Sequence, residues 1–124
     1  MKRLTRDQIL AYHKDLIDRH GGTHGLRDEG LFESALAAPY HGFADEEPYP
    51  TIHAKAARLG YGLIKNHPFI DGNKRIGAHA ITTTLEFNGI TANYTEEELE
   101  RTILEVASGT MSSEDLLTWV QNHT

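Results

Sequence analysis

The chain has 124 residues, enough to bury one hydrophobic core and too few for two, so we expect a single domain over residues 1–124. Its 18 acidic residues outnumber 12 Lys and Arg, and the net charge of -6 argues against nucleic acid as a partner, while the absence of cysteine excludes disulfides and thiolate metal sites. Without a signal-peptide pattern or an apolar run of membrane-spanning length, we expect a cytoplasmic protein with no membrane partner.

The first half of the chain predicts two helices of different length. Thr5 followed three residues later by Gln8 forms a capping-box pattern, and apolar residues recur at helical spacing until the glycine pair at 21–22. That stripe consists of Ile9, Tyr12 or His13, Leu16, Ile17 and His20. Asp28 predicts the N-cap of a shorter helix, which Pro39 stops.

Two loops in this half have no role that the sequence determines. Residues 39–50 form an acidic stretch that is long for a loop in a compact domain, and it suits a lid, a docking surface or simple mobility equally well. Its aromatic residues Tyr40, Phe43 and Tyr49 are expected to pack within the loop more often than to contact a partner. The loop at 21–28 could position a target molecule, and the sequence does not decide this.

A long helix follows from Thr51, and its residues are apolar on nearly every face. Pro68 disfavours the α conformation at the residue before it, so this helix should stop by about Asn66 and leave His67 on a turn. A helix of this kind, with Ala and Gly that allow close approach of neighbours, is predicted to be the central one. Its apolar repeat consists of Ile52, Ala56, Leu59 and Leu63.

Three more helices complete the predicted architecture. One begins near residue 72 or 73 and ends at the Asn-Gly pair 88–89, which suits a left-handed terminus. Thr95 with Glu98 predicts another capping box, for a helix that carries Leu99, Ile103, Leu104 and Val106, and Ser112 or Ser113 caps the last helix. The class is therefore all-α, a bundle of about six helices.

Where the two long helices meet, residues 67–75 read HPFIDGNKR and bring an imidazole, a carboxylate, a carboxamide, an ammonium and a guanidinium within nine residues. Lys74 and Arg75 fall in the first turn of a helix, where unpaired amides already carry about half a positive charge and a further cation costs about 0.3 to 1 kcal/mol. A bound anion would relieve this conflict, because the amides and both cations could converge on phosphate oxygens.

Each group of the motif also has a plainer interpretation. Lys74 and Arg75 could be solvated or paired with surface acids, Asp71 with Gly72 is common turn chemistry, and His67 could bond a backbone carbonyl. The coincidence of all of them favours function. A base that titrates near neutrality, a hard-oxygen ligand for Mg²⁺ and a phosphate cradle are the parts that phosphoryl or nucleotidyl transfer requires.

The motif resembles the signature of the Fic/Doc family, and its Asn-Lys-Arg ending resembles the Doc (death-on-curing) branch. The likeness extends to GLRD at 25–28, to ESALA at 33–37 and to the helical run at 54–89. The resemblance implies a helical toxin that is encoded beside a cognate antitoxin. It also implies transfer of the γ-phosphate of ATP, with Mg²⁺, to a threonine of elongation factor Tu, which would block translation.

The resemblance assigns a role to each residue of the motif. His67 would be the general base on the target hydroxyl, Asp71 would bind Mg²⁺, and Phe69 would anchor the loop in the core. The four residues after Asp71 would bind the nucleotide phosphates, namely Gly72, Asn73, Lys74 and Arg75.

Two positions favour phosphoryl over adenylyl transfer within this resemblance. Adenylyltransferases of the family usually have Gly where this chain has Lys74, and a second Arg where it has Ala78. Gly72, however, is the residue that the adenylyltransferase branch prefers, so adenylyl transfer stays open as an alternative, as does an inactive nucleotide-binding or partner-binding module. The self-inhibitory pattern of the family has the right spacing at 82–86, but Phe87 follows it, so we expect a separate antitoxin that folds a segment onto an apolar groove.

The remaining histidines suggest no metal site. His20 and His24 are four residues apart, but Gly21 and Gly22 lie between them, which makes a shared helical face improbable.

Overall fold

The structure, a computed structural model, describes residues 1–42 and 46–124 of the chain; Phe43, one of the three loop aromatics, lies outside them. The described residues form six helices and no strand, so the predicted all-α class is confirmed. In chain order these helices are α1 (Arg6–His20), α2 (Glu29–Ala37), α3 (Ile52–Asn66), α4 (Asn73–Phe87), α5 (Glu96–Ser108) and α6 (Ser113–Asn122).

Local side-chain caps explain where most of these helices begin. The predicted capping boxes at Thr5 and Thr95 are both present, and Ser112 forms a third with Asp115. Such caps satisfy amides that have no partner within the helix, and each contributes about 1 kcal/mol. Five of the six described helices have an N-cap side chain bonded to the first turn, namely Thr5, Asp28, Thr51, Thr95 and Ser112. Helix α4 has none.

Helix α3 is the centre of the bundle, as its sequence predicted. It packs against α2, α4, α5 and α6. Its crossing with α4 is close because glycines face each other: a Cβ at Gly60 would lie 2.4 Å from Ile81 Cγ1, and a Cβ at Gly77 would lie 2.6 Å from Ile64 Cγ1. This close contact fixes the two helices that flank the loop at residues 67–72.

The core consists of two clusters that share α3. One lies among α1, α2 and the adjoining faces of α3 and α4, and it contains Phe69 of the motif. The other lies among α3, α4, α5 and α6. Two residues predicted on apolar stripes are exposed instead: His20 is the last residue of α1, and Leu104 points away from the buried face of α5 with 52% of its surface exposed.

The predicted helix ends agree with the structure at both long helices. Helix α3 stops at Asn66, and Gly89 beyond the end of α4 has a φ of 77°. Residues 90–94 contain no strand, and the Asn93 amide donates to the His123 carbonyl. Across residues 1–42 and 46–124, no helix is both long and apolar enough to cross a membrane.

Candidate active site

Residues 67–72 form a short loop that joins α3 to α4, and His67 is its first residue. The backbone of His67 is left-handed, with φ 51° and ψ 53°, and it is the only described residue other than glycine with a positive φ. A β-carbon is disfavoured in this region, and such conformations concentrate at functional sites. The imidazole is exposed, and its nitrogens have no hydrogen-bond partner among the described residues.

Asn73 closes the loop from inside the protein. Its side chain is 4% exposed, its Nδ2 donates to the Phe69 carbonyl over 3.0 Å, and its Oδ1 accepts from the Phe69 amide over 2.9 Å. Both ends of the carboxamide are therefore used by the loop backbone. A phosphate could therefore bind Asn73 only at its backbone amide and not at its side chain. The phosphate-binding role of this residue stays a prediction.

Phe69 lies in the core beneath the loop with 1% of its surface exposed. The ring of His13 stacks on it, with centroids 3.7 Å apart and an interplanar angle of 10°, and Phe32 meets it edge-on at 5.2 Å. These contacts hold the loop against α1 and α2.

His13 is a site residue that sequence reasoning did not identify. Its Nε2 lies 2.8 Å from the carbonyl oxygen of Asp71, which can only accept, so the neutral ring carries its proton on Nε2. Burial lowers the pKa of His13, which keeps the ring neutral. The sequence did contain one signal that His13 is buried: it lies four residues from Ile9 and four from Ile17, the other two buried residues of α1.

Asp71 presents an ionised carboxylate at the surface of the loop. The carboxylate accepts from the Thr23 amide over 3.1 Å and from the Gly72 amide over 2.8 Å. These two bonds, with smaller contributions from the charges of Arg75 and His13, lower the pKa of Asp71.

Such a carboxylate suits Mg²⁺, which prefers hard oxygen ligands. Among residues 1–42 and 46–124, no three His, Asp or Glu side chains cluster as a metal site would require if protein groups alone held the ion. Mg²⁺ often takes only one or two carboxylates together with substrate phosphates, so Asp71 fits this second arrangement.

The first turn of α4 carries two positively charged side chains. It contains no acidic residue, and the N-cap of the helix, Gly72, with a φ of 75°, provides no side-chain bond. Lys74 and Arg75 are exposed, and neither forms an ion pair within the part of the chain that the structure describes. Arg75 has only a long contact of 3.4 Å to the Gly21 carbonyl. The alternative of pairing with surface acids is therefore not what the structure shows.

The loop at 21–28 lies directly against the motif, which the sequence did not reveal. An isolated antiparallel bridge joins Leu26 to Phe69, and the Ile70 amide donates to the Gly25 carbonyl over 3.0 Å. Beside this bridge is a cavity of about 320 Å³. Its walls come from α1, loop 21–28 and the motif, with the residues Leu10, His13, Lys14, His24, Gly25, Leu26 and Phe69.

The structure thus places these predicted residues in two settings. His67, Asp71, Lys74 and Arg75 are exposed on the loop and the first turn of α4, whereas Phe69 and the side chain of Asn73 are buried supports. His24 is not paired with His20: its Nε2 lies 2.9 Å from a carboxylate oxygen of Asp18.

Comparison with known proteins identifies relatives of this sequence. The sequence model of the Fic/DOC family matches residues 3–85, which include the whole motif. The chain is 37% identical over 90 residues to Toxin Doc of Mycolicibacterium smegmatis, an alignment that covers 71% of this chain and 69% of that protein. It is 27% identical over 112 residues to Protein kinase doc of Escherichia phage P1, covering 90% of this chain and 87% of that protein.

Proposed function

The chain belongs to the Fic/DOC family, and on this premise we propose that it is a Doc-like toxin of a toxin-antitoxin module. Its activity would be that of an ATP-dependent protein kinase that phosphorylates a hydroxyl of a translation factor, elongation factor Tu. The names of its two relatives support this proposal, since one is called a toxin and the other a protein kinase.

One observation carries the proposal: α4 begins without a side-chain cap or an acidic residue, yet Lys74 and Arg75 occupy its first turn. Each unpaired cation at this end opposes the helix dipole, and the turn still offers backbone amides that need acceptors. A polyphosphate group satisfies both requirements at once.

The chemistry of the loop residues supports transfer of a phosphoryl group. ATP would supply that group, and Mg²⁺ held by Asp71 and phosphate oxygens would neutralise part of its charge. His67 would accept the proton of the target hydroxyl as its oxygen bonds to the γ-phosphorus. The bond from that phosphorus to the β–γ bridging oxygen would break, and ADP would leave, while Lys74 and Arg75 stabilise the charge on the phosphate oxygens.

Position 74 supports phosphoryl rather than adenylyl transfer. Lys74 places a long cationic side chain at the start of α4, and Ala78, one turn further along the helix, is half-buried and offers no second cationic clamp. Adenylyl transfer by the same fold is the second candidate, favoured by Gly72, whose Cβ would lie 3.0 Å from Ile17 Cδ1. This crowding gives Gly72 a packing reason that is independent of either reaction.

The decisive experiment uses ATP labelled separately at the α- and γ-phosphates, with Mg²⁺ and elongation factor Tu. We expect label to reach the factor from the γ position only, and we expect His67→Ala to reduce transfer by about 10²- to 10⁴-fold, the usual contribution of a general base. Transfer of the α label would identify an adenylyltransferase. Transfer of neither label would identify a binding module.

We also propose a cognate antitoxin as the partner that restrains this activity. The segment at 82–86, which has the spacing of the family's self-inhibitory pattern, lies inside α4, where Thr82 Oγ1 is 2.6 Å from the Tyr94 hydroxyl. This segment is thus part of a helix of the bundle and packs within it. Restraint would instead come from a separate chain that folds a segment onto an apolar groove.

A further inference from the structure

Arg27 holds the end of α3 at the point where the motif begins. Its Nε donates to the His67 carbonyl over 2.8 Å, and its Nη2 donates to the Asn66 carbonyl over 3.1 Å. The last carbonyls of a helix have no partner within the helix, and a cation beside them also complements the negative end of the dipole. One planar guanidinium thus satisfies two consecutive carbonyls.

Backbone hydrogen bonds from loop 21–28 to the motif add to these side-chain bonds. The amides of Arg27 and Asp28 both donate to the Pro68 carbonyl, over 2.7 and 3.1 Å. Three consecutive carbonyls, from residues 66 to 68, are therefore bonded to two consecutive residues of loop 21–28. His67 is the central residue of the three.

His67 needs such support because nothing else fixes its side chain. The ring is exposed and has no hydrogen-bond partner among residues 1–42 and 46–124, so the backbone is the only part of His67 that hydrogen bonds from these residues hold. That backbone is left-handed and precedes a proline, a conformation that persists only where surrounding contacts enforce it. The Arg27 guanidinium provides a side-chain contact that acts directly on the carbonyl of His67.

We propose that Arg27 is a positioning residue that sets the direction of the His67 imidazole. The inference rests on the proposed function in so far as His67 is the base of the reaction. Lysine could not take over this role, although it would keep the positive charge at the end of α3. Its single ammonium cannot occupy both positions, those of Nε and Nη2, from which the guanidinium donates to the two carbonyls. A residue that served only the helix dipole would tolerate this replacement.

The test compares Arg27→Ala and Arg27→Lys with Arg101→Ala, a change at an exposed arginine of α5. We expect kcat for γ-phosphate transfer to fall by about 10²-fold in Arg27→Ala and by about tenfold in Arg27→Lys, since a misplacement near 1 Å has effects of this size. The KM for ATP should change by less than about twofold, because the phosphate-binding groups lie on α4 and not on the peptide that Arg27 holds.

A second measurement does not depend on activity. The ¹³Cε1–¹Hε1 resonance of the His67 ring, assigned by its loss in His67→Gln, should shift or broaden in both Arg27 variants and stay unchanged in Arg101→Ala. The Lys variant controls for the change in charge and replaces the Ala variant if that protein does not fold.

An unmoved His67 resonance in the folded Arg27 variants would overturn the inference, and so would a wild-type kcat in both of them. If the wild-type protein transfers no phosphate, the proposed function fails while the resonance still decides whether Arg27 positions His67.

Discussion

Lys74 is the residue on which the proposed choice of phosphoryl over adenylyl transfer depends. It is exposed at the positive end of α4, has no acidic partner among the described residues and follows a carboxamide that is committed to the loop backbone. Its charge opposes the helix dipole by about 0.3 to 1 kcal/mol in the free protein. An interaction that is unfavourable without a ligand and favourable with one is expected of a residue that stabilises a developing phosphate charge.

We therefore expect Lys74→Gly to reduce γ-phosphate transfer by about 10²-fold, the loss that follows removal of one preorganised group at a reacting oxygen. Transfer of the two ATP labels measures this directly, and the smaller residue could allow transfer of the α label. Lys65→Gly, a change at an exposed position near the end of α3, serves as the control. Unchanged γ-transfer in Lys74→Gly would contradict the role of this residue.

His13 makes the stability of the protein depend on pH. Burial lowers the pKa of His13 from 6.5, and the charge of His24 acts in the same direction, while the bond to the Asp71 carbonyl and the Asp71 carboxylate oppose the shift. The unfolded chain therefore binds a proton at His13 at a higher pH than the folded protein does. Stability should decrease as the pH falls below about 6.5, because protonation then favours the unfolded state.

We expect Tm to fall as the pH is lowered from about 7.5 to about 5, and to fall less steeply in His13→Gln, whose amide can still donate to Asp71. Thermal unfolding followed by circular dichroism measures both slopes. Part of the slope should persist, since burial also lowers the pKa of His79. His20→Gln, at an exposed position, is the control, and equal slopes for wild type and His13→Gln would refute this assignment.

At the scale of secondary structure, the contact between α3 and α4 determines the geometry of the site. Gly60 and Gly77 lie at the crossing, and a Cβ on either of them would come within 2.6 Å of an isoleucine side chain of the other helix. The Cβ at Gly60 would also lie 3.1 Å from the Gly77 carbonyl oxygen, and the Cβ at Gly77 would lie 3.2 Å from the Gly60 carbonyl oxygen. Protein interiors are packed too densely to absorb such a contact without displacement. Because these helices carry the two ends of the motif loop, their separation sets the distance between His67 and the first turn of α4.

We expect Gly77→Ala to destabilise the protein by about 1 to 3 kcal/mol, the usual cost of overpacking. Gly30→Ala is a matched control with the opposite expected sign. Gly30 lies in α2 at an exposed position, and its Cβ would make only an ordinary contact of 3.4 Å, so the lower chain entropy of alanine should stabilise the helix by about 0.5 to 1 kcal/mol. Urea denaturation of the three proteins gives both values, and a stability of Gly77→Ala equal to wild type would exclude the steric argument.

At the scale of the whole molecule, the site is assembled from three parts of the chain. Helix α1 contributes His13 beneath the loop, residues 21–28 contribute a backbone bridge beside it, and α3 with α4 hold its two ends. The proposed reactive groups are exposed, while His13, Phe69 and Asn73 beneath them are buried, which suits the proposed protein substrate.

A toxin of this kind should stop growth when it is produced without its antitoxin. We expect expression of the wild-type chain in bacteria to halt growth, and we expect His67→Ala, produced to the same soluble level, to permit it. Co-expression of a small antitoxin encoded beside the toxin gene should restore growth to the wild-type strain. Normal growth at high levels of soluble wild-type protein would contradict the toxin proposal, whatever the outcome of the labelling assay.

The sequence by itself determined the helices and the chemical content of the motif. Caps such as Thr5 and Thr95, the helix stop before Pro68 and the apolar spacing of α3 are local or periodic signals, and local physics decides them. The presence of Lys74 and Arg75 at a helix start was equally readable, since it needs only the position of the helix.

Tertiary structure alone decided which side chains face the ligand side of the loop and which support it. Asn73 was predicted to bind phosphate, but its carboxamide is turned inward because the buried backbone groups of Phe69 need partners. His13 and Arg27 lie 58 and 40 residues away from the groups that they bond, so no local pattern could connect them. Such contacts form only when α1 and loop 21–28 pack against the motif, and that packing depends on the shape of the whole core.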